Sequence, residues 1–544
     1  MEQKRETWGG TIGFVLAAAG SAIGLGNIWK FPYITGMNGG GAFVIVYLIC
    51  IFLLGTPLML SEIAIGRKTA RNPYGAFKTI SPAGSKFSYV LGALLLLQAV
   101  FMIYSGVDNV IDNGTNSGMI GFGVISAIAG GLIIWKGVAM VGLFSILTGL
   151  AILSYYSVVG GWILEYVYLS FSQNIQFETV ADAKEAFGSF ISQPWKVAIL
   201  HLIFMVLCAA MLWGGIRNGV ERWSKILMPA LLLLLIAVII RGVTLPGAIE
   251  GVKFFLYPDF SKLSTGSILE ALGHSFYSLS LGMGIMITYG SYMKKQENIL
   301  KTSVYIIILD TVAALMAGLA IFPAVFAMNY EPAAGPSLIF QVLPVAFNHF
   351  PGGFGWFWAG LFFLMLTIAA FTSGASLLEM GVTFLMDQLK WGRKKAIAVL
   401  FVVISALGVL SAISIAGWEN IPWLKKAFDF CFSPDYVKGS FFDVLDYITS
   451  NWCLPLAGMM TAIFTGWIWT ARRAARELRE GDTNRLMDTN ILLLLSGFRK
   501  EPFYRQMLYS GLTLTTLWAI LTRFFAPVII FFVFLHSLGI NLGF

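Results

Sequence analysis

Ala19-Gly20-Ser21-Ala22-Ile23-Gly24-Leu25-Gly26-Asn27 and Ser278-Leu279-Ser280-Leu281-Gly282-Met283-Gly284 are the two stretches that decide how this chain folds. Each interrupts an apolar run with glycine and small hydroxyl residues. A glycine weakens a helix by roughly 1 kcal/mol relative to alanine, so glycines clustered beside an asparagine predict a break. A break frees carbonyls and N–H groups that cannot face hydrocarbon and must line a cavity. Freed carbonyls suit a hard cation, and the N-termini of half-helices suit a carboxylate. The same residues also permit close helix packing, Gly20-x-x-x-Gly24 being a small-xxx-small contact. Their pairing favours breaks: one lies in the first span, and the other opens what would be a second five-helix half. Paired interruptions at corresponding places point to a transporter site between inverted repeats.

The rest of the chain supplies the solvent for such a site. Its 544 residues are 57% hydrophobic and 12% charged, and the mean hydropathy is +0.78. A soluble domain could not hydrate that surface, so the bilayer is the solvent. Apolar runs near 13–35, 42–65, 87–105, 119–135, 138–168, 197–213, 226–245, 268–293, 301–327, 354–386, 396–413, 443–470 and 510–536 predict about thirteen crossings. Lipid makes each of them a helix, and no ten-residue alternation suggests a barrel. The expectation is an all-α polytopic membrane protein: an inverted five-plus-five helix repeat with helices 1 and 6 broken, plus extra helices. Residues 1–470 would form the core, 471–506 a cytoplasmic loop and 507–544 a C-terminal transmembrane helix.

Charge placement sets the orientation. Arg67, Lys68, Arg71, Lys78 and Lys86 share one loop; Lys390, Arg393, Lys394 and Lys395 a second; Arg472, Arg473, Arg476 and Arg479 a third. These loops fall on one side if the spans alternate, and the positive-inside rule makes that side, and the N-terminus, cytoplasmic. The basic residues flank spans, which argues against a nucleic-acid partner. The opening MEQKRETW mixes acidic and basic residues and does not read as a signal peptide. A multi-pass protein of the plasma (inner) membrane is expected. Cys50 and Cys208 read as small core residues. Cys431 and Cys453 lie 22 positions apart near an outer segment, where a disulfide is open.

The run Gly20-Ser-Ala-Ile-Gly-Leu-Gly-Asn-Ile-Trp-Lys-Phe-Pro-Tyr33, followed by Asn38-Gly-Gly-Gly-Ala-Phe43, resembles the first helix and loop of the neurotransmitter:sodium symporters. Pro57-Leu-Met59, Glu62, Gly66-Arg67, Tyr155-Tyr156-Ser157, Ser278–Gly284, Ile287-Thr-Tyr289 and Phe371-Thr-Ser373 continue the likeness in order. It looks closest to the bacterial amino-acid branch.

The resemblance implies a sodium-coupled symporter, not an enzyme, with two sodium ions and a small amino acid as partners beside the lipid bilayer. One sodium would meet Ala22, Asn27, Ser278, Asp310 and the substrate carboxylate. The other would meet backbone oxygens of Gly20, Ile23 and Ala369 and the hydroxyls of Thr372 and Ser373. The substrate residues implied are Ser21, Ala22, Gly24, Leu25, Gly26, Ile152, Tyr156, Tyr277, Ser278, Ser280, Met283, Ser373 and Leu377. Tyr156 would donate to the carboxylate, with Tyr155 the alternative. The outer gate would pair Lys30 with Asp446. The inner gate would pair Arg5 with Asp387, helped by Trp8, Tyr289 and Ser291. Gly219 and Pro229 would permit unwinding of the fifth helix. All-oxygen shells are what a hard cation wants. A carboxylate at 310 inside an apolar run costs roughly 3 kcal/mol unless paired, and sodium is the natural partner. Chloride-dependent members place a serine near Ala314 and lack this acid, so chloride-independent transport is expected. Monoamine carriers have aspartate where Gly24 stands, so this substrate should bring its own carboxylate, with a neutral side chain.

Three departures stand out: Lys30 replaces the usual arginine and loses its bidentate fork, His274 replaces glutamine, and Tyr277 replaces phenylalanine. His274 is expected to hydrogen-bond to Tyr47. About 50 extra residues lie between Pro82 and Lys136. Lys86 and Lys136 bracket an acidic turn there, which predicts an inserted transmembrane hairpin over 85–136; a pair of interfacial helices is the alternative. Two other function classes compete, an ion channel and a receptor built on a transporter fold.

Overall fold

The computed structural model describes residues 5–81, 86–113, 118–330, 338–350, 352–417, 422, 423, 425, 439–491 and 512–537. Among these the architecture is helical, and the β pairing found is two isolated bridges, Gly40 with Pro258 and Asn490 with Thr513. In chain order, α1 (Thr11–Ala22) and α2 (Gly26–Met37) form one span bent by 47°. Next come α3 (Gly41–Thr69) and a close pair, α4 (Lys86–Asn113) and α5 (Gly118–Lys136). Three long helices follow: α6 (Ala139–Phe171), α7 (Pro194–Trp213) and α8 (Ile216–Val243). The next span is split into α9 (Thr265–Ser278) and α10 (Ile285–Gly290). After it stand α11 (Ile299–Ala327), α12 (Gly355–Leu389), α13 (Arg393–Ile415) and α14 (Phe441–Ile468), which turns through 94° into α15 (Ala471–Arg479). The last is α16 (Leu514–Leu535).

With α1–α2 and α9–α10 counted as one span each and the α4–α5 pair set aside, the interrupted spans stand first and sixth. Four spans stand between them, an offset of five, as an inverted repeat of five requires. Adding the pair restores the thirteen apolar segments of the sequence. Among the described residues, eight of these are continuous helices long and apolar enough to cross a membrane.

Local chemistry explains the ends. Ser264 accepts from the Ser267 N–H at 3.1 Å and starts α9; Ser440 and Asp443 form the same reciprocal cap on α14. Close packing uses missing side chains. A Cβ at Gly161 would lie 2.8 Å from the His201 nitrogen, so α6 and α7 touch there by backbone. A Cβ at Gly290 would lie 2.6 Å from the Ile63 carbonyl, which seats α10 on α3. The α4–α5 pair is also drawn together by glycine, Gly130 meeting the Gly92 carbonyl, and it joins the remainder through α5 and α6. Cys431 lies outside the described residues; among the described ones Cys453 is buried and free.

Candidate functional site

Both breaks fall where the glycines lie. α1 ends at Ala22, and the helix resumes at Gly26. α9 ends at Ser278, and the chain turns through Ser280 (φ +54°), Gly282 (φ +80°) and Gly284 (φ +81°) before α10. Positive φ is cheap for glycine alone, so Ser280 is held by its surroundings: its hydroxyl donates to the Ser21 carbonyl at 3.0 Å. Across the gap, the buried Glu62 of α3 accepts the Gly282 N–H at 2.7 Å. That carboxylate takes over a donor the helix has lost, and its second oxygen has no hydrogen-bond partner among the described residues.

Asp310 of α11 faces the first break and is fully buried. Its Oδ1 accepts from Asn27 Nδ2 at 2.8 Å and its Oδ2 from Ser278 Oγ at 2.9 Å; Tyr47 donates to Ser278 Oγ at 2.9 Å. The carboxylate therefore fixes the Asn27 amide with nitrogen inward. That leaves Asn27 Oδ1 buried without a hydrogen-bond partner among the described residues. A buried carboxylate whose hydrogen bonds come from neutral groups, beside an orphaned amide oxygen, is a donor set that a small hard cation completes.

The second group lies between α1 and α12. Ser373 Oγ donates to the Ser21 carbonyl at 2.8 Å and the Gly20 carbonyl at 3.3 Å. Thr372 Oγ1 bonds back to Ile368 and Ala369 in its own helix, at 3.1 and 3.2 Å. Gly20, Ala369, Thr372 and Ser373 are thus brought together with their oxygens in a buried seam. Ile23 follows at the end of α1, its N–H on the Ala19 carbonyl at 2.7 Å.

Between the breaks lies a narrow cavity of about 20 Å³, lined by Ser21, Ala22, Gly24, Leu25, Gly26, Ile152, Tyr156, Tyr277, Ser280, Met283, Ile285, Ser373 and Leu377. No charged side chain lines it. The Tyr156 hydroxyl accepts from the Leu25 N–H at 3.3 Å, at the N-terminus of α2. Tyr155 points elsewhere, to Thr449 Oγ1 at 3.2 Å. Ser278 stands behind the cavity with Asp310. Ile285, the first residue of α10, joins the lining; an apolar residue after the break carried no sequence signal.

Tyr277 also lines a second, larger cavity of about 500 Å³ that includes Lys30, Glu270, His274 and Asp446. It is the wall between the two. Lys30 and Asp446 face the same vestibule without forming an ion pair. Lys30 Nζ rests over the Tyr277 ring at 4.6 Å, and Asp446 Oδ1 accepts from Ser450 at 3.0 Å. The expected His274–Tyr47 hydrogen bond is not formed: the Tyr47 hydroxyl donates to Ser278, and neither His274 ring nitrogen has a hydrogen-bond partner among the described residues. His274 instead stacks on Phe31, with ring centroids 5.8 Å apart and planes at 22°.

The opposite end is shut. Arg5 Nη1 donates to both Asp387 oxygens, at 2.8 and 3.0 Å, and Nη2 to Ser291 Oγ at 2.6 Å. Trp8 is fully buried and donates to the Tyr289 carbonyl at 3.0 Å. Behind them is a network that sequence reasoning did not find. Glu379 of α12 accepts from Tyr292 at 2.7 Å and from Arg393 at 2.7 and 3.0 Å. Glu6 caps the Ile216 N–H at 2.6 Å, and Glu221 accepts the Gly9 N–H at 2.7 Å, tying the N-terminal strap to the start of α8. That start carries Gly219 in a widened turn, and Pro229 lies further along the helix.

A helical membrane protein with two broken spans, a buried carboxylate at one break and a cavity between thin and thick closures has the architecture of a secondary transporter. Comparison with known proteins agrees. The profile of the sodium:neurotransmitter symporter family matches residues 5–107 and 178–434. The uncharacterized sodium-dependent transporter YhdH of Bacillus subtilis is 33% identical over 539 residues, 99% of each chain. An uncharacterized sodium-dependent transporter of Haemophilus influenzae is 34% identical over 471 residues, 86% of this chain and 90% of that one. Among solved structures, that of MhsT in complex with L-phenylalanine matches with a TM-score of 0.73 and 34% identity, covering 98% of this chain and 100% of that one. The chain belongs to the sodium:neurotransmitter symporter family: it is a sodium-coupled multi-pass membrane transporter and not an enzyme.

Proposed function

We propose that the protein imports a small neutral amino acid together with two sodium ions by alternating access, across the plasma (inner) membrane, with its N-terminus in the cytoplasm. The observation that carries this reading is Asp310, buried with neutral hydrogen-bond partners beside the orphaned Asn27 oxygen. One sodium is assigned to Ala22, Asn27, Ser278 and Asp310, with the substrate carboxylate as a further ligand. The other is assigned to Gly20, Ile23, Ala369, Thr372 and Ser373. The substrate carboxylate sits at the α2 N-terminus and accepts the Tyr156 proton. Because one carboxylate serves both ion and protein, sodium and amino acid each stabilise the other, and that coupling is reciprocal.

The uncharged lining favours a neutral side chain, since a charged one would need a buried partner. The L-phenylalanine held by MhsT is in keeping with a neutral amino acid as the ligand class. Asp310 supplies the negative charge that a chloride ion supplies in relatives without it, so transport is chloride-independent. Lys30 and Asp446 meet only when the outer side closes, and Arg5 with Asp387 part when the inner side opens. The α4–α5 pair is a transmembrane hairpin. Purified protein should bind a radiolabelled neutral amino acid saturably in sodium and lose that binding in potassium. Equal binding in both salts would defeat the proposal.

A further inference from the structure

Four arginines, Arg472, Arg473, Arg476 and Arg479, fall on the nine-residue helix α15 and all are exposed. At 3.6 residues per turn they occupy one stripe roughly 120° wide. The acid of the same helix, Glu477, lies on the other side. It is buried, accepting from Arg67 Nε at 2.9 Å and Lys295 Nζ at 2.6 Å. Arg67 donates as well to the carbonyls of Glu477, Glu480 and Glu297, the last at 2.6 Å. The inner face is therefore neutralised within the protein, while the outer face is left basic. Arg479 is paired with Asp488 at 2.6 Å; Arg472, Arg473 and Arg476 have no ion pair among the described residues. The chain turns 94° after α14, at Thr470 (φ +70°), so α15 runs across the end of a membrane span rather than out into solvent.

We propose that α15 is a binding surface for anionic phospholipid headgroups, gripped by Arg472, Arg473 and Arg476. Three guanidinium groups with no ion pair among the described residues stand directly beyond a span. The apolar face of their helix, Ala471, Ala474, Ala475 and Leu478, is already buried against the protein, so the basic face is the one left for an outside partner and its charge suits a phosphate layer. Guanidinium binds phosphate oxygens in bidentate fashion. Only the choice of the cytoplasmic leaflet rests on the orientation proposed above. Arg67 ends α3, and Lys295 and Glu297 lie between α10 and α11, so a lipid held on α15 is fastened by buried charge to the broken sixth span.

The test uses the full chain in nanodiscs of phosphatidylcholine with an equal share of phosphatidylglycerol. Tightly held lipid is then counted by mass spectrometry after detergent extraction. The wild type should retain phosphatidylglycerol in preference to phosphatidylcholine, and R472Q/R473Q/R476Q should retain roughly tenfold less of it, each basic residue near the surface contributing about a fivefold factor at most. K390Q/K394Q/K395Q, an equal charge loss in another loop, should match the wild type. Thermal unfolding in pure phosphatidylcholine checks the fold; if the triple variant fails it, R473Q/R476Q takes its place, with an expected loss of about threefold. Unchanged phosphatidylglycerol retention, or an equal fall in the Lys390 control, overturns the proposal and leaves a row of solvated arginines. The readout needs neither sodium nor substrate, so it stands apart from the symport reading.

Discussion

Replacing Arg5 with alanine should open the inner side. The guanidinium joins the N-terminal strap to α12 through Asp387 and to the end of the sixth span through Ser291, and lies 4.8 Å from the Tyr292 ring centroid. Asp387 keeps two further donors, the Asn72 N–H and Nδ2, both at 2.8 Å, so its charge is not orphaned by the change. The loss is thus the pair itself. Charge-assisted hydrogen bonds contribute about 1.5–3 kcal/mol and the ring contact somewhat less than 1 kcal/mol. The two side chains are 18% and 24% exposed, so water takes back part of this. About 2 kcal/mol remains, which shifts the ratio of inward-open to closed protein by about thirtyfold. Ser376 is buried beneath the closure, bonded to Tyr289 at 2.7 Å, and makes a suitable reporter as S376C in a chain lacking its native cysteines. A hydrophilic thiol reagent should label it about thirtyfold faster in R5A when the inner side is exposed to reagent. Labelling within about threefold of the parent rate would refute the idea that Arg5 holds the closure, and R5K should fall between the two because it keeps the charge without the fork.

Other outcomes follow from the same geometry. Asp310→Asn should raise the sodium concentration for half-maximal amino-acid binding on the order of a hundredfold, as expected when one partner of a buried charge pair is removed; an unchanged sodium curve would remove Asp310 from the cation shell. Gly24→Asp should abolish amino-acid binding, since its Cβ would lie 2.5 Å from Ser373 Oγ and 3.1 Å from the Tyr156 hydroxyl, with the new charge where the substrate carboxylate belongs. In competition assays on that variant, the decarboxylated amine should outperform the parent amino acid. Uptake should survive replacement of chloride by gluconate within about twofold, and a tenfold fall would contradict the role given to Asp310.

The two breaks were legible because glycine and serine in mid-membrane have few physical excuses. The residues that ring the small cavity, Ile285 apart, were reached through the family resemblance and not from the breaks alone. What was hidden depends on distant pairing. Arg67 and Glu477 are 410 positions apart, and nothing local says that one loop arginine is buried while its neighbours are exposed. Glu379 and Arg393 look like an apolar-helix acid and a loop base until the fold brings α12 and α13 together. The sharp turn at Thr470 breaks no sequence rule: the span was expected to end at 470 in a loop, and nothing local says that a helix restarts there across the end of the span. Lys30 was paired with Asp446 by resemblance; here both line the vestibule on the outer side of Tyr277 without an ion pair, and the lysine rests on the Tyr277 ring instead. His274 did not meet its expected partner: the Tyr47 hydroxyl gives its proton to Ser278, and the histidine ring lies stacked on Phe31 instead.

The central claim is that a sodium gradient drives amino-acid accumulation through the site between the breaks. Proteoliposomes loaded with potassium and diluted into sodium medium, with a radiolabelled neutral amino acid outside, test it most directly. Internal label should rise above the external concentration and fall back when a sodium ionophore dissipates the gradient. Label that merely equilibrates, at the same rate with sodium or potassium outside, would contradict the account.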